Sequence, residues 1–293
     1  LVSFKEPRSY GGEPVFAKTL QNLDNLGRLT IETPKTVVNL QLEDNLWRVM
    51  EIGNYYAGYR QINNLFNDFA DARIYRRRGP ATDADEKKFG LDDNAFRVIT
   101  RDAGGQILNS VLIGKAAADN LYHFARIEGE KDVFLITGNF SFPKTAVSWL
   151  QQPLLSLSPA DIRSLKIGQE TAVRPDIIVP FKIKGKQAVP DISRYLNALG
   201  FVAAYDVRRS ADFDRLQFSA PKSLTVTTFD GLVVTIEVYG RTGEEYWASL
   251  KFSTTTLPTT AVNDYIKSSA FLYEDWYFRL APDVGRILFN AFI

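Results

Sequence analysis

Residues 59–69 read YRQINNLFNDF, and residues 189–199 read VPDISRYLNAL. In each stretch four apolar residues follow the spacing i, i+3, i+4, i+7, which places them on one face of a helix. The first set is Ile62, Leu65, Phe66 and Phe69, and the second is Ile192, Tyr195, Leu196 and Leu199. The spacing predicts two amphipathic helices in equivalent positions of a duplicated module.

Further pairs of similar segments lie on both sides of these helices. Residues 29–31 return as 165–167, residues 96–100 as 224–228, and residues 112–114 as 238–240. Asp102 matches Asp230, and Tyr122 matches Tyr246. The distance between partners falls from 136 to 124 residues along the chain, as loop insertions and deletions would produce. We interpret the chain as two copies of one module.

Strand and hairpin patterns dominate each copy. Residues 39–42 alternate between apolar and polar, and residues 102–105 (DAGG) and 229–231 (FDG) predict hairpin turns. Sequential hairpins with few helical crossovers favour antiparallel sheets. We therefore expect an α+β fold of two pseudo-repeated lobes, each a mainly antiparallel sheet packed with one long and one short helix. The expected boundaries are 1–24 for an N-terminal segment, 25–158 for the first repeat and 159–293 for the second, whose long helix opens at Pro190 and Asp191.

The composition indicates a globular protein with a sizeable core, since 45% of its 293 residues are hydrophobic and 24% are charged. A net charge of +1 argues against a duplex-DNA binder, so no nucleic-acid partner is expected. The lack of cysteine excludes thiol catalysis, thiolate metal ligands and disulfides. No run approaches the ~18 apolar residues of a membrane span, and the start at Leu1 leaves room for a membrane anchor ahead of it.

Residues suited to catalysis are few. His123, the single histidine, lies in an alternating strand with no second ligand nearby, so we interpret it as structural and predict neither metal nor cofactor. An acidic cluster lies in a stretch typical of a solvated loop and offers carboxylate pairs of the kind that glycosidases use. Its members are Asp83, Asp85, Glu86, Asp92 and Asp93. No catalytic residue is predicted with a defined role.

Two short clusters supply the candidate binding residues. They are Arg76, Arg77, Arg78, Tyr55, Tyr56 and Tyr59. The arginine run suits lipid headgroups, an anionic glycan or phosphate, but it is also typical of a charged face or an edge strand that resists aggregation. The tyrosines would form a contact surface for a glycan or a protein if exposed, and part of the core if buried.

The order of these motifs resembles a bacterial family known as domain of unknown function 4340. The resemblance rests on residues 29–31, 46–49, 89–92, 112–114, 122–126, 133–136 and 149–155, and on the helix from Tyr59. The helix entry, often Pro-Ala-Asp in the family, reads Ala57-Gly58-Tyr59 here. The resemblance implies an envelope protein with one N-terminal membrane helix and a periplasmic body. It also implies association with ABC transporter components similar to the gliding-motility type, and it supplies no catalytic residues.

We therefore expect a non-enzymatic, extracytoplasmic accessory or binding protein of an ABC transport system. It would be periplasmic and tethered to the inner membrane by an N-terminal helix. The expected partners are membrane or auxiliary subunits of the transporter, or an envelope lipid or glycan. The alternative is an envelope glycan- or lipid-processing enzyme that uses paired carboxylates, and a third interpretation is a passive scaffold with flat polar surfaces.

Overall fold

The structure is a computed structural model that describes residues 12–93, 95–117, 121–183, 186–187, 192–241 and 243–290. The chain divides into two compact units, Leu1–Gln151 and Gln152–Ile293. The division precedes the expected boundary at residue 159, because Leu154 N already donates a hydrogen bond to Val202 O of the second unit. Residues 12–24 of the expected N-terminal segment belong to the first unit, where Phe16 is fully buried.

The first unit contains one antiparallel sheet with the strand order β4-β3-β2-β1-β6-β7-β8-β9-β5. The strands are β1 (Leu26–Glu32), β2 (Val37–Glu43), β3 (Leu46–Val49), β4 (Tyr55–Tyr56), β5 (Arg73–Pro80), β6 (Phe96–Asp102), β7 (Ile107–Ala116), β8 (His123–Ile127) and β9 (Asp132–Thr137). Its helices are α1 (Ala17–Gln21), α2 (Tyr59–Asp71) and α3 (Asp83–Phe89). In the place of the short helix expected at the end of this repeat, the structure has a 3-10 turn, Ala146–Trp149.

The second unit repeats this order as β13-β12-β11-β10-β15-β16-β17-β18-β14. The strands are β10 (Ile162–Ile167), β11 (Glu170–Val173), β12 (Lys182–Ile183), β13 (Lys186–Gln187), β14 (Ala204–Arg209), β15 (Lys222–Thr228), β16 (Leu232–Arg241), β17 (Glu245–Thr254) and β18 (Trp276–Leu280). Its helices are α4 (Ile192–Leu199), α5 (Thr260–Ser269) and α6 (Pro282–Phe289). The α+β class and the duplicated topology are confirmed, and no described helix is long and apolar enough to cross a membrane.

The two amphipathic helices occupy equivalent places. All four apolar residues of the α2 stripe are buried, and α4 buries three of its four and half-buries Leu196. Each helix therefore contributes its stripe to the core of its own unit, as the spacing predicts. The expected entry of α4 at Pro190 and Asp191 lies outside the described residues.

Hydrogen bonds at the hairpin turns correct one part of the repeat alignment. Gly105 N donates to Asp102 O at the β6–β7 turn, and Gly231 N donates to Thr228 O at the β15–β16 turn. Asp102 therefore corresponds to Thr228, not to Asp230, and β6 aligns two residues earlier on β15 than the apolar pattern indicated. A shift of two residues keeps each side chain on the same face of a strand, so the pattern could not reveal it.

The acidic stretch expected to be a loop is helix α3. The Thr82 hydroxyl accepts a hydrogen bond from Asp85 N, and the Asp85 carboxylate accepts one from Thr82 N. This capping box opens the helix, and Gly90 closes it in the left-handed conformation with φ of 66°. Threonine and aspartate, which are common in loops, are also the residues that start helices, and here the second preference prevails.

Candidate functional site

The first unit contains an apolar cleft of about 590 Å³. Three elements form its walls: the β2–β3 hairpin, the first half of α2 and the 3-10 turn Leu23–Asn25. Its main apolar side chains are Leu42, Leu46, Trp47, Tyr59, Ile62 and Phe66. Asp24 is the single charged residue among those that line it, and Asn45 is a further polar one.

The β2–β3 turn explains how the cleft forms. Asp44 and Asn45 adopt φ of 51° and 61°, which short polar side chains tolerate better than most. This two-residue turn places Leu42 directly opposite Trp47 in the ladder. The Trp47 ring then lies 6.0 Å from the Phe66 ring of α2, centroid to centroid, so strand and helix meet at the base of the cleft.

Two apolar side chains of the cleft are unusually exposed. Tyr59 retains 56% of its accessible surface and Leu46 retains 37%. Tyr59 begins α2, where its backbone N–H donates to the Gln151 side chain at 3.2 Å. The helix start is therefore held in place while the tyrosine ring is accessible to a ligand.

The three candidate tyrosines fall in three environments. Tyr55 is buried in the core, and Tyr56 is half-buried with the Arg48 guanidinium carbon 4.6 Å from its ring centroid. Tyr59 alone among them lines the cleft. A binding role for Tyr59 fits this placement, whereas Tyr55 contributes to the core.

The candidate arginines lie on β5, at the edge of the sheet. Arg77 forms an ion pair with the buried carboxylate of Asp132. The Arg78 guanidinium carbon lies 5.6 Å from the ring centroid of Phe89. Arg76 and Arg78 are both exposed. Two register shifts interrupt the pairing of β5 with β9. Such irregularities make an edge strand less able to pair with another chain. The arginine run on β5 and the tyrosines on β4 lie at opposite edges of the nine-stranded sheet, so the structure does not bring the two candidate clusters together.

Asp85 and Glu86 of the acidic cluster, and the histidine, have local contacts. Hydrogen bonds from Thr82 hold the pKa of the Asp85 carboxyl below its usual range, and Glu86 forms an ion pair with Arg126. His123 packs edge-on against Phe140, and its burial lowers its pKa. Among the described residues, no group of three or more acidic or histidine side chains is placed to hold a metal ion.

The second unit fills the place that corresponds to the cleft. The strand ladders align Leu42 with Arg174 and Trp47 with Phe181. The Arg174 guanidinium lies 4.6 Å from the Phe181 ring and donates to the carbonyl oxygens of Ile162 at 2.8 Å and Ala160 at 3.0 Å. Those two residues align with positions 26 and 24 of the cleft wall. A leucine therefore leaves the cleft open in the first copy, and an arginine occupies it in the second.

One carboxyl that sequence analysis missed has a strongly altered acidity. Burial, and secondarily the charge of Asp71, raise the pKa of Asp68 in α2 to about 7. The sequence does contain a signal for this raised pKa: Asp68 and Asp71 are three residues apart near the end of an amphipathic helix. Residues at this spacing are neighbours on the helix surface, so their charges interact. Asp68 is not among the residues that line the cleft.

Comparison with known proteins identifies one relationship. The model of a family described as Domain of unknown function (DUF4340) matches residues 47–221, more than half of the chain. The matched region includes Trp47, Tyr59 and Arg174. No curated protein and no solved structure matches the chain.

Proposed function

This chain belongs to the DUF4340 family, and from that premise we propose that it is a non-enzymatic, extracytoplasmic binding protein of an ABC transport system. In this proposal the protein is held at the periplasmic side of the inner membrane and presents its first unit to a transporter subunit or an envelope substrate. The association with a transporter and the location rest on the family resemblance. The binding role rests on the apolar cleft.

The cleft carries the proposal because it is large, apolar and accessible. Its volume of about 590 Å³ lies within the range of sites that hold small ligands or partner side chains. The exposure of Tyr59 and Leu46 leaves apolar surface in water that a ligand would cover. At the equivalent position of the second copy, a buried arginine is hydrogen-bonded to the backbone, so the two copies of the module differ at this position.

The enzyme alternative receives less support from the geometry. It needs two carboxyl groups that flank one substrate bond. The acidic cluster lies on and after α3, where Asp85 caps its own helix and Glu86 is paired with Arg126. The cleft itself contributes the single carboxylate of Asp24.

The test is recovery of the native protein and its bound partners from membranes in a mild detergent, read by mass spectrometry. The cleft variant combines Leu46→Ser and Tyr59→Ser. Ile107→Ser is the matched control, since Ile107 is 44% exposed in the same unit and does not line the cleft. We expect wild type and control to recover transporter subunits and the cleft variant to lose them at least several-fold. Equal recovery by the cleft variant, or no subunits with wild type, would overturn the proposal.

A further inference from the structure

We infer that the apolar cleft binds a single acyl chain whose head group is uncharged or positively charged. This inference rests on the proposed binding function and names the chemical class of its ligand. Three independent features of the cleft support it: its walls, its charge and its counterpart in the second unit.

The walls suit a narrow hydrocarbon chain. A strand hairpin, a helix and a 3-10 turn enclose the space from three directions, and six of the lining side chains present aliphatic or aromatic surface. An α-helix of a partner protein is ~10 Å across and docks along an open groove. An extended alkyl chain fits a cleft bounded by three elements and would gain from contact with the Trp47 and Tyr59 rings.

The charge at the cleft selects the head group. Asp24 is exposed and is the single charged lining residue, so no lining cation balances a ligand carboxylate or phosphate. Like charges in a partly desolvated cleft repel, whereas an amine or hydroxyl group can donate hydrogen bonds to the Asp24 carboxylate. Asn45, in the β2–β3 turn, offers a further polar contact.

In the second unit, a side chain with hydrogen-bond donors occupies the position that corresponds to the cleft. There, Arg174 is 8% exposed and its guanidinium binds four backbone carbonyl oxygens, those of Pro159, Ala160, Ile162 and Ile177. Three of these align with residues 23, 24 and 26 of the cleft wall. The backbone of the module thus accepts a cationic donor at this position of the second unit. A head group with N–H or O–H donors would meet the aligned backbone in the first unit, where Leu23 O already accepts a hydrogen bond from Leu26 N.

The experiment measures binding of three twelve-carbon probes to the complete chain, each below its micelle-forming concentration. The probes are dodecylammonium, dodecyl maltoside and dodecanoate, and calorimetry supplies the dissociation constants. We expect the cationic and neutral probes to bind at least tenfold more tightly than dodecanoate. Asp24→Asn should reduce that difference several-fold, because it removes the charge that discriminates between head groups.

Leu42→Arg places in the cleft the side chain that fills the second unit. We expect it to weaken binding of the cationic and neutral probes at least tenfold, with an unchanged circular dichroism spectrum. Leu257→Arg is the control, because Leu257 is 90% exposed in the second unit and should leave binding unchanged. If Leu42→Arg fails to fold, Leu46→Arg at the cleft rim supplies the same test.

Three results would overturn the inference. They are no binding of any probe, tightest binding of dodecanoate, or probe binding of wild-type strength by a folded Leu42→Arg or Leu46→Arg protein. These outcomes are separable from failure of the proposed function. If no probe binds but the cleft variant still loses transporter subunits, the acyl ligand is wrong and the binding role stands. If the probes bind through the cleft but no subunits are recovered, the ligand class stands and the transporter role is wrong.

Discussion

Substitution of Asp68 by asparagine should stabilise the protein at neutral pH and have little effect in acid. The Asp68 carboxyl is half-buried in α2, and burial together with Asp71 raises its pKa from 3.8 to about 7. Below pH 4 the carboxyl is protonated in both folded and unfolded chains, so it adds no penalty. As the pH rises from 4 to 7, the unfolded chain releases the proton more readily than the folded one, and stability falls.

The size of the effect follows from the shift. Each pKa unit corresponds to about 1.4 kcal/mol, so a shift of about three units sets an upper limit of about 4 kcal/mol above pH 7. The side chain retains access to water, and screening and reorientation reduce this value. We expect Asp68→Asn to raise the free energy of unfolding by about 1–2 kcal/mol at pH 8.

The assay is urea unfolding of wild type and Asp68→Asn between pH 4 and pH 8.5, with the carboxyl titration of Asp68 followed by carbon NMR. Asp71→Asn is the informative second variant, because it removes the smaller cause of the shift and should give a smaller gain. The reasoning is refuted if the stabilisation by Asp68→Asn is the same at pH 4 and pH 8.5, or if the carboxyl titrates near pH 4.

Three further substitutions test the packing by their urea midpoints. Arg174→Met should cost about 2–4 kcal/mol, because it removes a buried guanidinium that donates to four backbone carbonyl oxygens, one of them in the buried residue Ile162. Arg163→Met on the exposed side of β10 should change stability by less than about 0.5 kcal/mol. Thr100→Val should cost about 1–2 kcal/mol, since its hydroxyl forms a 2.6 Å hydrogen bond with a second buried threonine. Phe213→Ala should cost about 3–4 kcal/mol, because it leaves a cavity beside the stacked ring of Tyr277, whose centroid is 4.0 Å away. Leu216→Ala should have almost no effect, since Leu216 lies in the same β14–β15 connection and is 95% exposed. Equal midpoints within any of these comparisons would contradict the packing described.

The duplication could be predicted from the sequence because it leaves periodic signals. The apolar spacing of α2 and α4 determines which face of each helix is buried, and glycine marks the same place in both hairpin turns. The strand register could not be predicted to better than two residues, because that shift preserves the pattern of buried faces. Helix α3 was missed because its capping residues are equally typical of loops, and which preference prevails depends on packing and on the Gly90 stop.

The cleft could be predicted from the sequence less well than the fold. Tyr59 was among the predicted binding residues, but its partners Leu42, Trp47 and Phe66 have the composition of ordinary core. Whether these side chains line a cleft depends on how three segments, separated in the sequence, meet around an unfilled space. The arginine run, by contrast, has an obvious sequence signal and an edge-strand position that accounts for it, while its predicted binding role stays a prediction.

The comparison between the two copies shows how one backbone can support two different surfaces. In the second unit, Arg174 joins the start of β10 to the loop after β11 and stacks on Phe181, so this position serves stability. At the aligned position of the first unit, Leu42 cannot donate a hydrogen bond, and a two-residue turn replaces the longer connection between β11 and β12. There the Trp47 ring packs against Phe66 of α2 at the base of the cleft, and Leu42 is too short to reach the carbonyl oxygens that Arg174 binds in the second unit. Ligand binding should therefore be tested in the first unit. The Leu42→Arg substitution, which places an arginine in its cleft, should make that unit resemble the second.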